Sequence, residues 1–231
     1  MAVIRFNDNE VFSTDSSEYE ILANAAKNVF NVEGAIVEIG SRRGGSAKII
    51  IDALVESGNS NRSMFCIDPY GNIDFECTNL NISSFGLKQE LEGDPNSKDL
   101  TDVVKLDYNN DMRNRIVPSL YFYAYQAGLN FTFFALEDTE FMSRYADGVP
   151  VYDEVKKIED KYAFVFFDGP HTNTAVEHEV RFFGERAVVG SMFVFDDIWM
   201  YDHDMIEGIL EEYGFEVSEK KKIKASYKKV K

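Results

Sequence analysis

The chain predicts an α/β fold: a doubly wound, mostly parallel sheet of seven strands that ends in an antiparallel hairpin. Three observations carry this expectation. Five short runs rich in β-branched and aromatic residues alternate with helical stretches, as parallel strands joined by right-handed crossovers do. The first run passes through three glycines, Gly40, Gly44 and Gly45, straight into a helix. The last two runs have only a Lys-rich turn between them, which joins antiparallel neighbours and leaves no room for a crossover.

Taken in order, residues 1–16 read as a loose polar lead-in. Ser17-x-x-Glu20 is a capping-box pattern, and Ile21, Leu22, Ala25, Val29 and Phe30 form a helical stripe ending near Asn31. The first strand is 35–39, interrupted by Glu38, a carboxylate with no packing role there. The helix after it spans about 45–56 and stops at Ser57-Gly58-Asn59. A strand that turns through glycines into a helix leaves backbone N–H groups facing the turn, where a ligand can come close. In open α/β sheets this is where nucleotide-like ligands sit.

The second strand, 63–67, closes on Asp68-Pro-Tyr-Gly71. From Gly71 to about Asn130 the connection exceeds an ordinary loop and reads as a lid-like insertion in a single domain spanning 1–231. Its first half is turn-rich around Gly93-Asp94-Pro95-Asn96, and a helix follows from Met112 to Ala127. Tyr121, Phe122, Tyr123 and Tyr125 lie around that helix. They call for contacts on two sides, with the core and with a lid, a ligand or a second subunit of a homo-oligomer. The later strands are 131–136, 162–167, 191–195, 214–218 and 223–230. Helices are expected at about 174–184, with Val176, Val180 and Phe183 on one face, and at 203–213.

Composition narrows the function. No apolar run approaches a membrane span, and the amino terminus lacks the apolar stretch of a signal peptide. Cys66 and Cys77 are too few for a disulfide framework, and Cys66 falls inside a strand as a buried thiol, so a cytoplasmic protein is expected. The net charge is −16; setting aside the seven lysines of the last twelve residues leaves −23 for the rest. A body so acidic repels phosphate backbones, which argues against nucleic acid and for a small-molecule partner. The Lys-rich tail reads as a solvated strand edge.

Acids gather where strands end: Glu38 just before the end of the first, Asp68 after the second, Glu137 and Asp138 after the third, Asp168 after the fourth, Asp196 and Asp197 after the fifth. In a parallel sheet these ends share one edge, so the acids converge on one crevice. Crowded carboxylates repel and raise one another's pKa unless a cation or hydrogen-bond donors meet them. His171, three residues past Asp168, is suited to accept a hydroxyl proton near neutrality, and His203 is a second candidate. His178 reads as a surface helix residue. For each acid the plain reading is a helix N-cap. For His171 it is a turn-stabilising hydrogen bond.

The turn from Glu38 to Gly44 is spaced acid-x-Gly-x-x-x-Gly, unlike the G-x-G-x-x-G of dinucleotide enzymes, and resembles motif I of class I S-adenosylmethionine (SAM) dependent methyltransferases. The resemblance extends from about Ser17 to Glu216 through Ile67-Asp-Pro-Tyr-Gly-Asn72, Asn130-Phe-Thr-Phe-Phe, Glu137-Asp-Thr-Glu-Phe-Met142, Phe166-Phe-Asp-Gly-Pro-His171 and Val194-Phe-Asp-Asp197. These segments look like a bacterial and phage-type group of small enzymes related to macrocin and catechol O-methyltransferases. The resemblance implies the Rossmann-like sheet of that class and methyl transfer to a small hydroxylated acceptor. It places Glu38, Gly40, Ser41, Gly44 and Ser46 along the methionine part of SAM, Asp68 on the ribose hydroxyls, and Glu137 or Asp138 near the adenine. It gives Asp168, Asp196 and Asp197 the positions of a Mg²⁺ (or Ca²⁺) site; Asp168 and, from its place on the turn, His171 are the expected catalytic residues. Arg42 and Arg43 depart from the small or hydrophobic residues usual there. Two rival readings stand beside this one, an NAD-type oxidoreductase and a non-catalytic SAM- or metal-binding module.

Overall fold

In the computed structural model the described residues are 11–14, 16–71, 75–77, 102–104 and 110–231. The first half of the sheet comes from β1 (Ala35–Ile39), β2 (Ser63–Ile67) and β5 (Asn130–Phe134), with helices α1 (Tyr19–Lys27), α2 (Gly45–Glu56) and α3 (Asn110–Gln126). The second half comes from β8 (Tyr162–Phe167), β9 (Ala187–Phe195), β10 (Phe215–Lys220) and β11 (Ala225–Lys229), with α4 (Asp138–Arg144), α5 (Asn173–Arg186) and α6 (His203–Glu212). Two short ladders stand apart, β3 (Phe75–Cys77) with β4 (Asp102–Val104), and β6 (Val149–Tyr152) with β7 (Lys156–Glu159).

The seven strands of the main sheet lie in the order β10-β11-β9-β8-β1-β2-β5. Neighbours from β9 to β5 are parallel, while β11 runs antiparallel to both β9 and β10. This is the predicted doubly wound sheet with its terminal hairpin. Its central strands are buried at every position, because helices cover both faces, and they therefore read as unbroken apolar runs.

Side chains still divide by the two-residue period of a strand. Val37, Ile39, Phe65, Ile67, Val165, Phe167, Phe193 and Phe195 pack toward α4, α5 and α6. Ile36, Met64, Cys66, Phe164, Phe166, Met192 and Val194 pack toward α1, α2 and α3. Glu38 shares the parity of Ile36, so its carboxylate is delivered to the α2 side beside Cys66.

Several expectations change. The Ser17–Glu20 capping box does not form: α1 starts after Glu18 in a left-handed conformation with no side-chain cap. Its acids are used elsewhere, Glu18 accepting from the Ile223 and Lys224 amides at 2.8 and 3.0 Å and Glu20 pairing with Lys221. The third predicted strand leaves the sheet two residues early, at Phe134, and β9 begins four residues before Ser191, bending at Gly190 (φ 96°). The Lys-rich tail is largely solvated, Lys220, Lys221, Lys222, Lys228 and Lys231 being exposed, but it is not the edge. β11 is an interior strand, β10 is the edge, and Lys224 is fully buried.

Of the expected 71–130 insertion, α3 packs into the core through Met112, Ile116, Leu120 and Ala124. Of its aromatics, Tyr121, Phe122 and Tyr125 are exposed, while Tyr123 is half-buried against the core. The turn at Gly93-Asp94-Pro95-Asn96 lies outside the described residues. No helix among the described residues is long and apolar enough to cross a membrane.

Candidate active site

The backbone itself aligns the site. One residue past each strand, an amide continues the ladder: Asp68 N to Phe134 O, Gly40 N to Ile67 O, Asp168 N to Ile39 O and Asp196 N to Phe167 O, all at 2.9–3.0 Å. Asp68, Gly40, Asp168 and Asp196 thus stand in a row across β2, β1, β8 and β9. With strands about 4.8 Å apart, the row is about 14 Å long. Gly40 (φ 85°) could be nothing else, since a Cβ there would lie 1.9 Å from the Asp168 carbonyl oxygen.

The β1/β2 half is a closed local network. Gly44 opens α2 in the left-handed region (φ 74°), and Ser46 sits in the helix's first turn. The Ser41 and Arg42 amides donate to Asp68 Oδ2 at 3.0 and 2.9 Å, and the Tyr70 amide donates to Oδ1 at 2.9 Å. The Tyr70 hydroxyl donates to the Arg42 carbonyl. Asp68 therefore clasps the glycine turn to the end of β2, a role beyond the ribose contact expected of it. Glu38 is fully buried and accepts at Oε2 from Ser41 Oγ (3.0 Å) and Cys66 Sγ (3.2 Å), while Oε1 lacks a hydrogen-bond partner of normal geometry. Burial pushes its carboxyl up to about 7, against the pull of Ser46, Cys66 and Ser41.

At the far side of β2, Glu137 is exposed at the start of α4, and Glu140 Oε2 reaches back to its amide at 3.3 Å. Asp138 is buried beside Glu179 of α5, and Asp138 Oδ2 and both Glu179 oxygens lack hydrogen-bond partners of normal geometry. Burial, then the charge of Asp138, lifts the Glu179 carboxyl far above its ordinary range. Asp138 is raised too, again first by burial.

The β8/β9 half is tied together by distant residues. His171 is buried, with Nε2 3.9 Å from Asp197 Oδ2, and burial drives its pKa down to about 4. Asp168 is lifted well above the carboxylate range by burial, then by the charges of Asp196 and Asp197. Asp197 is raised by burial and by Asp196, and its backbone lies in the left-handed region (φ 44°). Arg42 (φ 36°) and Tyr70 (φ 50°) share that region at the same sheet edge. Non-glycine residues held there cost energy and cluster at functional sites.

Asp196 Oδ1 accepts from Lys224 Nζ at 2.6 Å, Ser16 Oγ at 3.2 Å and the Asp197 amide at 2.8 Å. Lys224 Nζ also donates to Ser16 Oγ at 2.8 Å and lies 4.4 Å from the centre of the Tyr19 ring. The segment before α1 meanwhile crosses the glycine turn, with the Phe12 amide bonded to the Arg43 carbonyl at 2.8 Å.

These contacts decide how the expected metal ligands fit. Among the described residues no three His, Cys, Asp or Glu side chains converge as a ligand set. Asp196 is already neutralised by an ammonium with no exposed surface. At a comparable distance that ammonium cancels the attraction of one carboxylate for a divalent cation. Asp168, Asp196 and Asp197 therefore do not fit Mg²⁺ or Ca²⁺.

His203 does not face the crevice. Its Nε2 lies 2.7 Å from Tyr227 Oη, and its ring packs on Phe195 and Tyr201 in the core. His178 is exposed on α5, as expected. The sequence reading missed Ser16, Tyr19, Glu179 and Lys224. For Lys224 no sequence signal was available: it lies just before β11 and is buried together with Ala225, Ser226 and Tyr227, on both faces of the chain.

Residues 37–198 match the family described as a methyltransferase domain. Among solved structures, the chain resembles a calicheamicin methyltransferase (TM-score 0.58, 11% identity, 90% of this chain and 76% of that one). It also resembles the O-methyltransferase NovP (0.54, 14%, 92% and 79%). A third likeness is to TomG, an O-methyltransferase of Streptomyces achromogenes solved with SAM (0.53, 10%, 95% and 82%). At these identities the likeness is one of fold. No curated protein matches the chain by sequence.

Proposed function

The chain belongs to the methyltransferase-domain family, and from that premise we propose that it moves the methyl group of SAM onto the oxygen of a small hydroxylated acceptor. The observation that carries the reading is the backbone row at the sheet edge. It sets the glycine turn of Gly40 one strand from Asp168 and two from Asp196. A donor site and an acceptor site on that row are direct neighbours, as in-line transfer requires.

When bound, SAM supplies an electrophilic methyl group on a sulfonium. Glu38, buried at the end of β1, fits the ammonium of its methionine part, and Gly40, Ser41, Gly44 and Ser46 form the adjoining turn. Asp68 holds that turn in shape and offers its remaining lone pairs to ribose hydroxyls. Asp138, buried beside Glu179, and Glu137 are assigned to the adenine end of the donor site. On the acceptor side, Asp168, whose carboxyl burial and the neighbouring aspartates lift above its ordinary range, orients the acceptor hydroxyl by a hydrogen bond. His171, neutral above its lowered pKa, takes up the hydroxyl proton, and Asp197 faces the imidazolium so formed. The acidic body suits a neutral or cationic small acceptor such as a sugar or polyphenol, in a cytoplasmic setting.

Turnover of labelled SAM against a panel of hydroxylated acceptors tests the assignment. His171→Ala should lower kcat by about 10²–10⁴ with SAM affinity kept. Because burial lowers the histidine pKa, the acid limb of the wild-type pH–rate profile should centre near 4 and be lost in the variant. Wild-type kcat in that variant would remove His171 from the proton path.

A further inference from the structure

We propose that Lys224 is the resident cation of the acceptor half of the crevice: its ammonium supplies, from within the chain, the charge compensation that a divalent metal would otherwise give Asp196, and the protein works without one. The lysine has no exposed surface, and its ammonium is engaged on every side by Asp196 Oδ1 (2.6 Å), Ser16 Oγ (2.8 Å) and the Tyr19 ring (4.4 Å). Four separate pieces of chain meet at it: the end of β9, the turn into β11, the segment before α1, and α1 itself. Glu18 fixes the backbone leading into it by accepting from the Ile223 and Lys224 amides, and Lys221 pairs with Glu20 nearby.

Packing alone does not call for this arrangement, because burying a lysine sacrifices its hydration and rotamer freedom where an apolar side chain would fill the space. What it achieves is local. The charge of Asp196 is met, its carboxylate is locked by three donors, and Asp168 and Asp197 are left to face the acceptor. Lys224 acts through Asp196 and is thus a positioning residue.

The inference rests on the proposed function only in assigning these aspartates to the acceptor, and its decisive readout needs no turnover. Wild-type protein should show no Mg²⁺- or Ca²⁺-dependent rise in Tm and no heat of binding by calorimetry, and any turnover should survive EDTA. Lys224→Ala should lose thermal stability, and ethylammonium, which restores an ammonium to the vacated space, should recover it. The same amine should leave unchanged both the wild type and a Lys224→Met/Asp196→Asn double variant, in which neither charge remains. Saturable Mg²⁺ binding to the wild type with SAM affinity intact would overturn the proposal, as would a folded Lys224→Ala protein indifferent to ethylammonium. Should Lys224→Ala fail to fold, the wild-type titration still decides. A wild type that binds no SAM would count against the proposed function and leave the cation measurement standing.

Discussion

The two halves of the sheet edge solve the same problem, a buried carboxylate, in opposite ways. In the β1/β2 half, Asp68 is met by amides of its own turn and of the adjacent glycine turn, at most 27 residues away. In the β8/β9 half, Asp196 is met by Ser16, 180 residues away in sequence, and by a lysine from the turn into the last strand. One half is a motif; the other exists only once both ends of the chain have docked. The lesson is that counting acids at strand ends overstates the negative charge a crevice presents. A cation can arrive from a segment that reads as solvated surface.

The contrast breaks most sharply at the Lys224–Asp196 pair. Removing one partner leaves an uncompensated buried charge, so Lys224→Met or Asp196→Asn alone should each cost about 3–5 kcal/mol. The double variant should recover most of that loss. A thermodynamic cycle from urea unfolding measures the coupling, and additive single losses would mean the charges do not pair in solution.

Glu38 tests the other half through pH. Its folded pKa, about 7, lies above the ordinary 4.5, so folding favours the protonated form. The stability contributed by that proton is complete below about 4.5 and is lost as pH rises through 7. Glu38→Gln should therefore match the wild type near pH 4 and exceed it by up to about 3 kcal/mol at pH 8 in the absence of ligand. It should also bind SAM more weakly. Urea midpoints at the two pH values give the difference, and a gain independent of pH would contradict the raised pKa.

The smallest effect is expected at Asp68. Asp68→Ala strips three amides of their acceptor and should destabilise the fold by about 1–3 kcal/mol. SAM affinity should fall in the same variant. If calorimetry shows the affinity lost while Tm is unchanged, Asp68 serves the ligand alone and the glycine turn holds its own shape.

The sequence by itself determined the sheet, its hairpin and the row of acids. Buried parallel strands must be apolar throughout, and the ends of 35–39, 63–67 and 162–167 are marked by abrupt acids and glycines, so their limits fall where the structure has them. That Glu38, Gly40, Ser41 and Asp68 lie together was legible for the same reason: their bonds are made within and between adjacent strand ends. Tertiary structure alone decided what meets Asp196, where His203 points and which lysine of the tail is buried. The capping box at Ser17 failed on the same account, because Glu18 and Glu20 bond across to the turn before β11. Local pattern records the hydrophobic period and the turn chemistry. A contact between Ser16, Asp196 and Lys224 leaves no period, since its geometry is fixed only when β11 inserts between β9 and β10 and carries one lysine inward.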